Sequence, residues 1–222
     1  MAKSTKDWTG NGNSIYKTLG ASNHCDDERE INDYYATPPL ATKCLIEIFG
    51  DNLDKNITIL EPACGEGHIS KEFEKLGYNV ISHDLVDRGY GISGRDFLAS
   101  TFKDGNMNII TNPPYKFAAE FVEKSMDIIN DGNYVIMLLK LTFLEGLKRF
   151  EMFKKYPPKI LYVFSDRINC AKNGEFEKYG ENGGAACYCW YVWQKGFNGD
   201  PIIKWVNSAD YKNKEVKSNS LF

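Results

Sequence analysis

Residues 57–67, with the sequence ITILEPACGEG, decide the fold of this chain. The β-branched residues 57–60 predict a short buried strand, and the pattern over 69–76 predicts a helix. The turn between them, residues 61–67 (the glycine loop), contains Gly65 and Gly67, which let a backbone approach a ligand closely. In open α/β sheets ligands bind beyond the carboxyl ends of the strands. The glycine loop therefore predicts a ligand site.

The same alternation of strand and helix continues outward from this stretch. Further strands are predicted at 79–82, 108–111, 134–139, 160–164 and 186–193, and further helices at 40–49, 117–129 and 144–155. This order is typical of a doubly wound, mostly parallel α/β sheet. The segment 165–185 has no helical pattern, so an antiparallel strand is expected at the sheet edge. We expect a polar arm at 1–33, a catalytic domain at 34–206 and a polar tail at 207–222.

Composition limits the protein class. A chain of 222 residues fits one domain, and it contains no apolar run of the roughly 20 residues that span a bilayer. The N-terminus lacks a secretory signal, so a soluble cytoplasmic protein is expected. Six cysteines without a paired spacing predict reduced thiols and no metal site.

The net charge of −3 does not indicate nucleic-acid binding, but one stretch of the chain is rich in basic residues. Its members are Lys140, Lys148, Arg149, Lys154, Lys155 and Lys159. They form either a solvated helix face or a local nucleic-acid-binding face.

The glycine loop departs from a dinucleotide-binding loop. Ser70 stands where a third glycine is expected, and Glu61 lies where it would repel a diphosphate. A carboxylate instead suits a sulfonium-bearing amino acid. Asp84 is either an ordinary strand-end residue or an acceptor for ribose hydroxyls. Asp96 and Phe97 are candidates to bind an adenine, through its amino group and its ring, respectively.

Residues 111–115, TNPPY (the proline loop), follow the strand at 108–111 and are the most specific feature of the sequence. The two prolines remove backbone donors and leave carbonyl acceptors free. Together with the side-chain carbonyl of Asn112, they suit an NH2 group that donates two hydrogens and whose lone pair must be freed for attack. Tyr115 offers a face on which an extruded base stacks. The alternative is a structural Pro-Pro turn with a core tyrosine.

Together, EPACGEG and NPPY closely resemble the motifs of class I, amino-group-modifying DNA methyltransferases. Residues 36–39, ATPP, look like the family's upstream segment, and the motif order is similar to that of gamma-arranged adenine-N6 enzymes. Residues 18–24 and 33–37 are similar to those of phage and mobile-element methyltransferases. The resemblance covers roughly 34–195. It implies a Rossmann-like seven-stranded sheet, S-adenosyl-L-methionine as cofactor, and direct transfer to a flipped-out adenine in DNA.

The resemblance also implies roles for individual residues. Cofactor contacts are implied for Thr37, Pro38, Glu61, Ala63, Cys64, Gly65, Gly67, Asp84, Asp96, Phe97 and Asn112. Catalytic roles are implied for Asn112, Pro113, Pro114 and Tyr115. Nucleic-acid contacts are implied for Tyr115, Lys116, Arg167 and Phe176, with Tyr179 as an alternative aromatic. No metal and no covalent intermediate are required, and nothing around Cys64 indicates a nucleophile.

Gamma enzymes usually carry a large target-recognition domain, and too few residues follow the catalytic motifs here to form one. Sequence reading is then expected from 1–33, from 165–185, or from a separate specificity partner. Adenine in RNA and a protein glutamine remain alternative acceptors, because a flat NH2 suits the proline loop equally. A non-catalytic nucleic-acid-binding module is a further alternative, and it would not need Asn112, Pro113 and Tyr115.

Overall fold

The computed structural model describes residues 34–168, 170–172 and 186–212, and within them one large sheet flanked by helices. The strands are β1 (Tyr35–Ala36), β2 (Thr58–Glu61), β3 (Val80–Ser82), β4 (Met107–Thr111), β5 (Tyr134–Lys140), β6 (Ile160–Phe164), β7 (Ala171–Lys172), β8 (Tyr188–Gln194) and β9 (Ile202–Val206). The α-helices are α1 (Pro39–Phe49), α2 (Ser70–Glu74), α3 (Ala118–Ile128) and α4 (Leu147–Lys155).

Seven strands form one sheet in the order β3-β2-β4-β5-β8-β6-β9, and only β8 runs against the others. The chain passes from β2 to β3 on one side and returns to β4 on the other side of β2. This reversal is the topological switch point, where ligands bind in such folds. Strands β1 and β7 pair separately and antiparallel.

The core lies on both faces of this sheet. The side chains of β8 alternate between the two faces, and residues 188–193 are all buried. The indole nitrogen of Trp190 donates to the carbonyl of Ala41 on α1 at 3.0 Å. That of Trp193 donates to the carbonyl of Tyr156, just after α4, also at 3.0 Å. Strand β8 thus ties both helical layers to the sheet.

The doubly wound, mostly parallel seven-stranded sheet predicted from the sequence is confirmed. One detail differs, because β8 lies inside the sheet, between β5 and β6, instead of at its edge. A strand so apolar on both faces needs covering on both sides. The strand at that edge of the sheet is β9, which the sequence pattern did not reveal.

One helix begins later than the sequence pattern indicates. The helix expected from 144 begins at Leu147, because Gly146 has a φ of 115°. At the start of the predicted tail at 207–222, the Ser208 amide donates to Asp166 at 3.0 Å. No helix in the described ranges is long and apolar enough to cross a membrane. The expected arm at 1–33 lies outside the described residues.

Candidate active site

The glycine loop and the proline loop lie side by side. They follow β2 and β4, which are parallel neighbours, so both leave the same edge of the sheet. A cavity of about 620 Å³ opens between them, within the range of roughly 300–1,000 Å³ that is usual for small-molecule sites. Its lining comes from both loops, from the segments after β3 and around Asp96, and from the tyrosines at 34 and 35.

The two glycines of the glycine loop are required by close contacts. Gly65 has a φ of 54°, and a Cβ there would lie 2.4 Å from the ring of Tyr34. Gly67 has a φ of 78°, and a Cβ there would lie 2.3 Å from the ring of Tyr90. Both φ values lie in the left-handed region that favours glycine. The tyrosines therefore pack directly on the backbone of this loop.

Glu61 is a buried carboxyl at the end of β2. Its Oε2 accepts from the amide of Ser70 at 2.8 Å and from the Ser70 hydroxyl, which in turn lies 2.6 Å from the Ser82 hydroxyl. Burial raises the pKa of Glu61 to about 8, although the Ser70 bonds act in the opposite direction. Glu61 also lines a second, small cavity with Thr37 and Cys64. A cation in this cavity would lie beside the Glu61 carboxyl, which is buried from solvent.

Asp84 joins the glycine loop to β3. Its Oδ2 accepts from the Gly65 amide and its Oδ1 from the Val86 amide, each at 2.8 Å. The guanidinium of Arg88 lies 4.0 Å away and also stacks on the Tyr34 ring at 4.2 Å. Each carboxylate oxygen keeps a second lone pair. Asp84 therefore braces the loop and can still accept from a hydroxyl in the cavity it lines.

Asp96 and Phe97 line the same cavity from a third segment. The Oδ1 of Asp96 accepts from the Leu98 amide at 2.9 Å, so its Oδ2 is the oxygen left for a ligand. Phe97 is buried against Phe121, with ring centroids 4.9 Å apart. Asp96 therefore offers a hydrogen-bond acceptor and Phe97 an aromatic surface, and both groups are suited to bind an adenine ring.

In the side-chain amide of Asn112, in the proline loop, the nitrogen is hydrogen-bonded and the oxygen is not. Its Nδ2 donates to the backbone carbonyl of Tyr35 at 2.8 Å. Its Oδ1 is buried and has no hydrogen-bond partner. A buried acceptor without a donor costs about 1–3 kcal/mol. The Tyr35 bond fixes the orientation of this amide, and the residue Asn112 lines both cavities.

The backbone carbonyls of Pro113 and Pro114 differ in whether they accept a backbone hydrogen bond. The carbonyl of Pro114 accepts from the Phe117 amide at 2.9 Å. Within the described ranges no backbone amide donates to the carbonyl of Pro113. Both prolines line the cavity, as does Lys116.

Tyr115 forms an aromatic cluster beside these groups. Its ring stacks on Tyr35 at 5.8 Å with 22° between the planes, and it lies 6.2 Å from Tyr188. The ammonium of Lys140 is 5.0 Å from the Tyr115 ring centroid. The Tyr115 hydroxyl is buried beside Tyr188 and Cys170, and burial raises its pKa well above the ordinary value.

The structure brings most of the sequence-predicted residues together at this edge. Thr37 lines the small cavity, whereas Pro38 lines neither cavity and is the N-cap residue before α1. Cys64 is buried, and burial raises its pKa to about 12, so the thiol is not a nucleophile at neutral pH. Arg167 lies away from the cavity and donates to the sulfur of Cys187 at 2.7 Å. Phe176 and Tyr179 lie outside the described residues.

Sequence reasoning missed several residues of the site. These residues are Tyr34, Tyr35 and Arg88, which line the large cavity. Lys140, which the sequence placed in the basic stretch, lies beside the cavity. The only signal was the pair of tyrosines two residues before Thr37-Pro38-Pro39. In the part of the chain that the structure describes, no group of three His, Cys, Asp or Glu side chains is arranged to hold a metal.

No family model matches the chain, and no curated protein sequence matches it either. Solved structures do match. A protein from Listeria monocytogenes, provisionally assigned to the class I S-adenosylmethionine-dependent methyltransferases, superposes with a TM-score of 0.56 at 16% identity. The match covers 84% of this chain and 69% of that one.

Two other matches show how far this likeness extends. The methyltransferase subunit of a type I restriction-modification system from Streptococcus thermophilus gives a TM-score of 0.59 at 12% identity, over 84% of this chain and half of that chain (50%). A protein from Lactococcus lactis provisionally assigned as a hemolysin gives 0.50 at 11%, over 82% and 97%. At such identities the likeness concerns the fold alone. The described part of this chain has the fold of the class I methyltransferases.

Proposed function

We propose that this chain is an S-adenosyl-L-methionine-dependent methyltransferase that methylates N6 of a flipped-out adenine in DNA. One observation carries the proposal. The Oδ1 of Asn112 is a buried acceptor without a partner, fixed by the Tyr35 carbonyl, and its loop lines a cavity shared with the glycine loop. Such an oxygen needs a donor from outside the protein, and an NH2 group supplies one.

The residues of the glycine loop and its neighbours fit the cofactor. Glu61 is a buried carboxyl beside a small cavity and matches the ammonium of a methionine moiety. Asp84 retains lone pairs for ribose hydroxyls, and Asp96 with Phe97 matches an adenine ring. When bound, the cofactor supplies a methyl group on a positively charged sulfur.

The proline loop supplies the remaining chemistry through hydrogen bonds. The Oδ1 of Asn112 and the carbonyl oxygen of Pro113 accept one hydrogen bond each from the two N–H groups of the amine. These two bonds draw the amine nitrogen toward a tetrahedral form with an available lone pair. Tyr115 and its neighbours confine the flat base. The rate enhancement comes from positioning and from fixed dipoles, which need no reorganisation during transfer. Adenine-N6 is favoured over a small amide because the wall around Asn112 is aromatic.

DNA as the acceptor is supported by the methyltransferase subunit of a restriction-modification system among the structural matches. We extend the proposal to the chain's setting: a catalytic unit within 34–206, action in the cytoplasm, an origin in a phage or mobile element, and sequence reading aided by a partner protein. The chain spans about half the length of that type I subunit, and a separate partner protein would supply the functions of the other half.

Methyl transfer from labelled cofactor to DNA, to RNA and to protein tests the proposal. We expect label in DNA adenine, and we expect Asn112→Ala to lower kcat by about 10²–10³, the usual cost of one lost donor or acceptor in such a site. Calorimetry should show unchanged cofactor affinity. Asn112→Asp keeps an acceptor but loses the donor to Tyr35, so it is the matched control and should lose less. Full activity in Asn112→Ala, or label only in protein, would refute the proposal.

A further inference from the structure

Three apolar side chains are exposed on the segment that follows β5. Leu144 is 41% exposed, Leu147 is 90% exposed and Phe150 is 57% exposed. Leu147 and Phe150 lie three residues apart on α4 and are therefore neighbours on one helix face. We call these three residues the apolar ridge. Clustered exposed apolar groups of this kind mark contact surfaces more often than isolated ones do.

The ridge is held in place by an extensive set of contacts. Phe143 is buried and packs edge-to-face on Tyr191 at 5.6 Å. The guanidinium of Arg149 donates to the carbonyls of Phe143, at 2.8 Å, Thr142, at 3.3 Å, and Glu145. One arginine thus fixes the turn that presents the ridge. The exposure of Leu144 and Leu147 is therefore a property of a structured turn and not of a loose one.

The ridge lies at the edge of the sheet that carries the large cavity. Strands β4 and β5 are parallel, with Thr111 opposite Met137, so the segments after them leave on the same side. Lys140, the last residue of β5, already contacts the Tyr115 ring. The residues of the ridge follow within ten positions. A substrate that reaches the proline loop from this side meets the ridge.

The charge around the ridge is positive, although the whole chain carries −3. Residues 140–155 contain five lysines and arginines and two glutamates. Lys154 pairs with Glu151 and Lys155 with Asp127. In the described ranges Lys140 and Lys148 have no carboxylate within 4.0 Å. A polyanion is the partner that this charge matches.

We infer that the apolar ridge, flanked by Lys140 and Lys148, is the surface that contacts duplex nucleic acid and inserts beside the extruded base. The inference rests on the proposed function, because a base held in the cavity must first leave its stack. Proteins that unstack bases insert apolar side chains at that point, and lysines neutralise the adjacent phosphates. Arg149 does not serve as a phosphate contact, because its donors hold the turn.

Binding of a fluorescein-labelled DNA duplex, followed by anisotropy with the full-length protein, tests the inference. The variant is Leu147→Ser/Phe150→Ser, and the matched control is Ile203→Ser/Trp205→Ser on β9, whose side chains are 50% and 73% exposed at the distal edge strand. We expect duplex affinity to fall about tenfold in the first variant and to stay unchanged in the control. Lys148→Gln should lower the slope of log Kd against log salt by about 0.9, one phosphate contact.

The outcomes separate the inference from the proposed function. Equal duplex affinity in the ridge variant and the control overturns the inference, while methyl transfer to DNA by the wild type would leave the proposed function standing. A wild type that binds no duplex overturns the inference as well. If the ridge variant loses duplex affinity but the wild type transfers no methyl group to DNA, the proposed function fails and the nucleic-acid surface stands. A wild-type dimer that the ridge variant converts to a monomer, with unchanged DNA affinity, assigns the ridge to self-association and refutes the inference.

Discussion

The two halves of the site differ in how their polar groups are satisfied. Around the glycine loop, Glu61 is bonded to Ser70, and Asp84 is bonded to the Gly65 amide. Around the proline loop, the Oδ1 of Asn112 is buried without a partner. The first half is organised by the protein itself. Under the proposed function, the amine of the substrate supplies the donor that the Oδ1 of Asn112 lacks, as expected where binding energy is to be gained during transfer.

The largest effect that should separate the halves comes from Glu61→Gln. This substitution keeps an acceptor for Ser70 but removes the charge that faces the small cavity. At a pH above the pKa of Glu61, cofactor affinity should fall about 30–100-fold, which corresponds to roughly 2–3 kcal/mol for a hydrogen bond to a charged group. Calorimetry with S-adenosyl-L-methionine measures it. Asn112→Ala should leave this affinity unchanged, and a loss common to both variants would contradict the division into halves.

The pH dependence of cofactor affinity should sharpen the same point. Since the pKa of Glu61 is raised to about 8, the carboxyl is protonated below that pH and must release its proton to pair with an ammonium. Affinity should therefore weaken by up to about tenfold for each pH unit below 8. In Glu61→Gln this limb of the profile should be flat. A wild-type profile without the limb would mean that no cation pairs with Glu61.

The same pKa predicts how the stability of the free protein varies with pH. The folded pKa of about 8 lies above the ordinary value of 4.5, so the contribution of Glu61 to stability is present below about 4.5 and is lost as pH rises through 8. Relative to Glu61→Gln, the wild type should lose up to about 1.4 kcal/mol of stability for each pH unit between these two pKa values. Denaturant unfolding at both ends of this range measures it. A wild type as stable as the variant at high pH would show that the carboxylate is already compensated without cofactor.

The sequence predicted the two motifs that form the site, but it did not predict the contacts between residues that lie far apart along the chain. That EPACGEG and NPPY meet follows from parallel strands on either side of a switch point, which is a local pattern repeated along the chain. The bond between Asn112 and Tyr35 joins residues 77 positions apart, and no periodicity reports such a contact. The raised pKa of Glu61 depends on burial by segments distant in sequence. Strand β9 was missed because its residues 202–205 are exposed and lack an alternation of apolar and polar side chains.

Tyr35 should have a smaller effect than Glu61, confined to the proline-loop half. Tyr35→Ala keeps the carbonyl that orients Asn112 but removes the ring that stacks on Tyr115. An aromatic pair is worth about 0.5–1.5 kcal/mol, so KM for the acceptor should rise about 2–10-fold. Steady-state kinetics measures this change, and Tyr35→Phe, which keeps the ring, should behave as wild type. A fall in KM would instead mean that the Tyr35 ring occupies the place of the base.

The smallest effect should come from the Tyr115 hydroxyl. This group is buried beside Tyr188 and Cys170, and Tyr115→Phe removes it but keeps the ring. Stability should change by no more than about 1 kcal/mol, and kcat/KM should stay within about twofold of wild type. Denaturant unfolding and steady-state kinetics measure the two quantities. Stability and activity should then respond differently at neighbouring positions, since under the proposed function the unpaired oxygen of Asn112 serves transfer and the hydroxyl of Tyr115 does not. A tenfold loss of activity in Tyr115→Phe would show that the hydroxyl acquires a partner from the substrate, and the proline-loop half would then contain two substrate-facing polar groups instead of one.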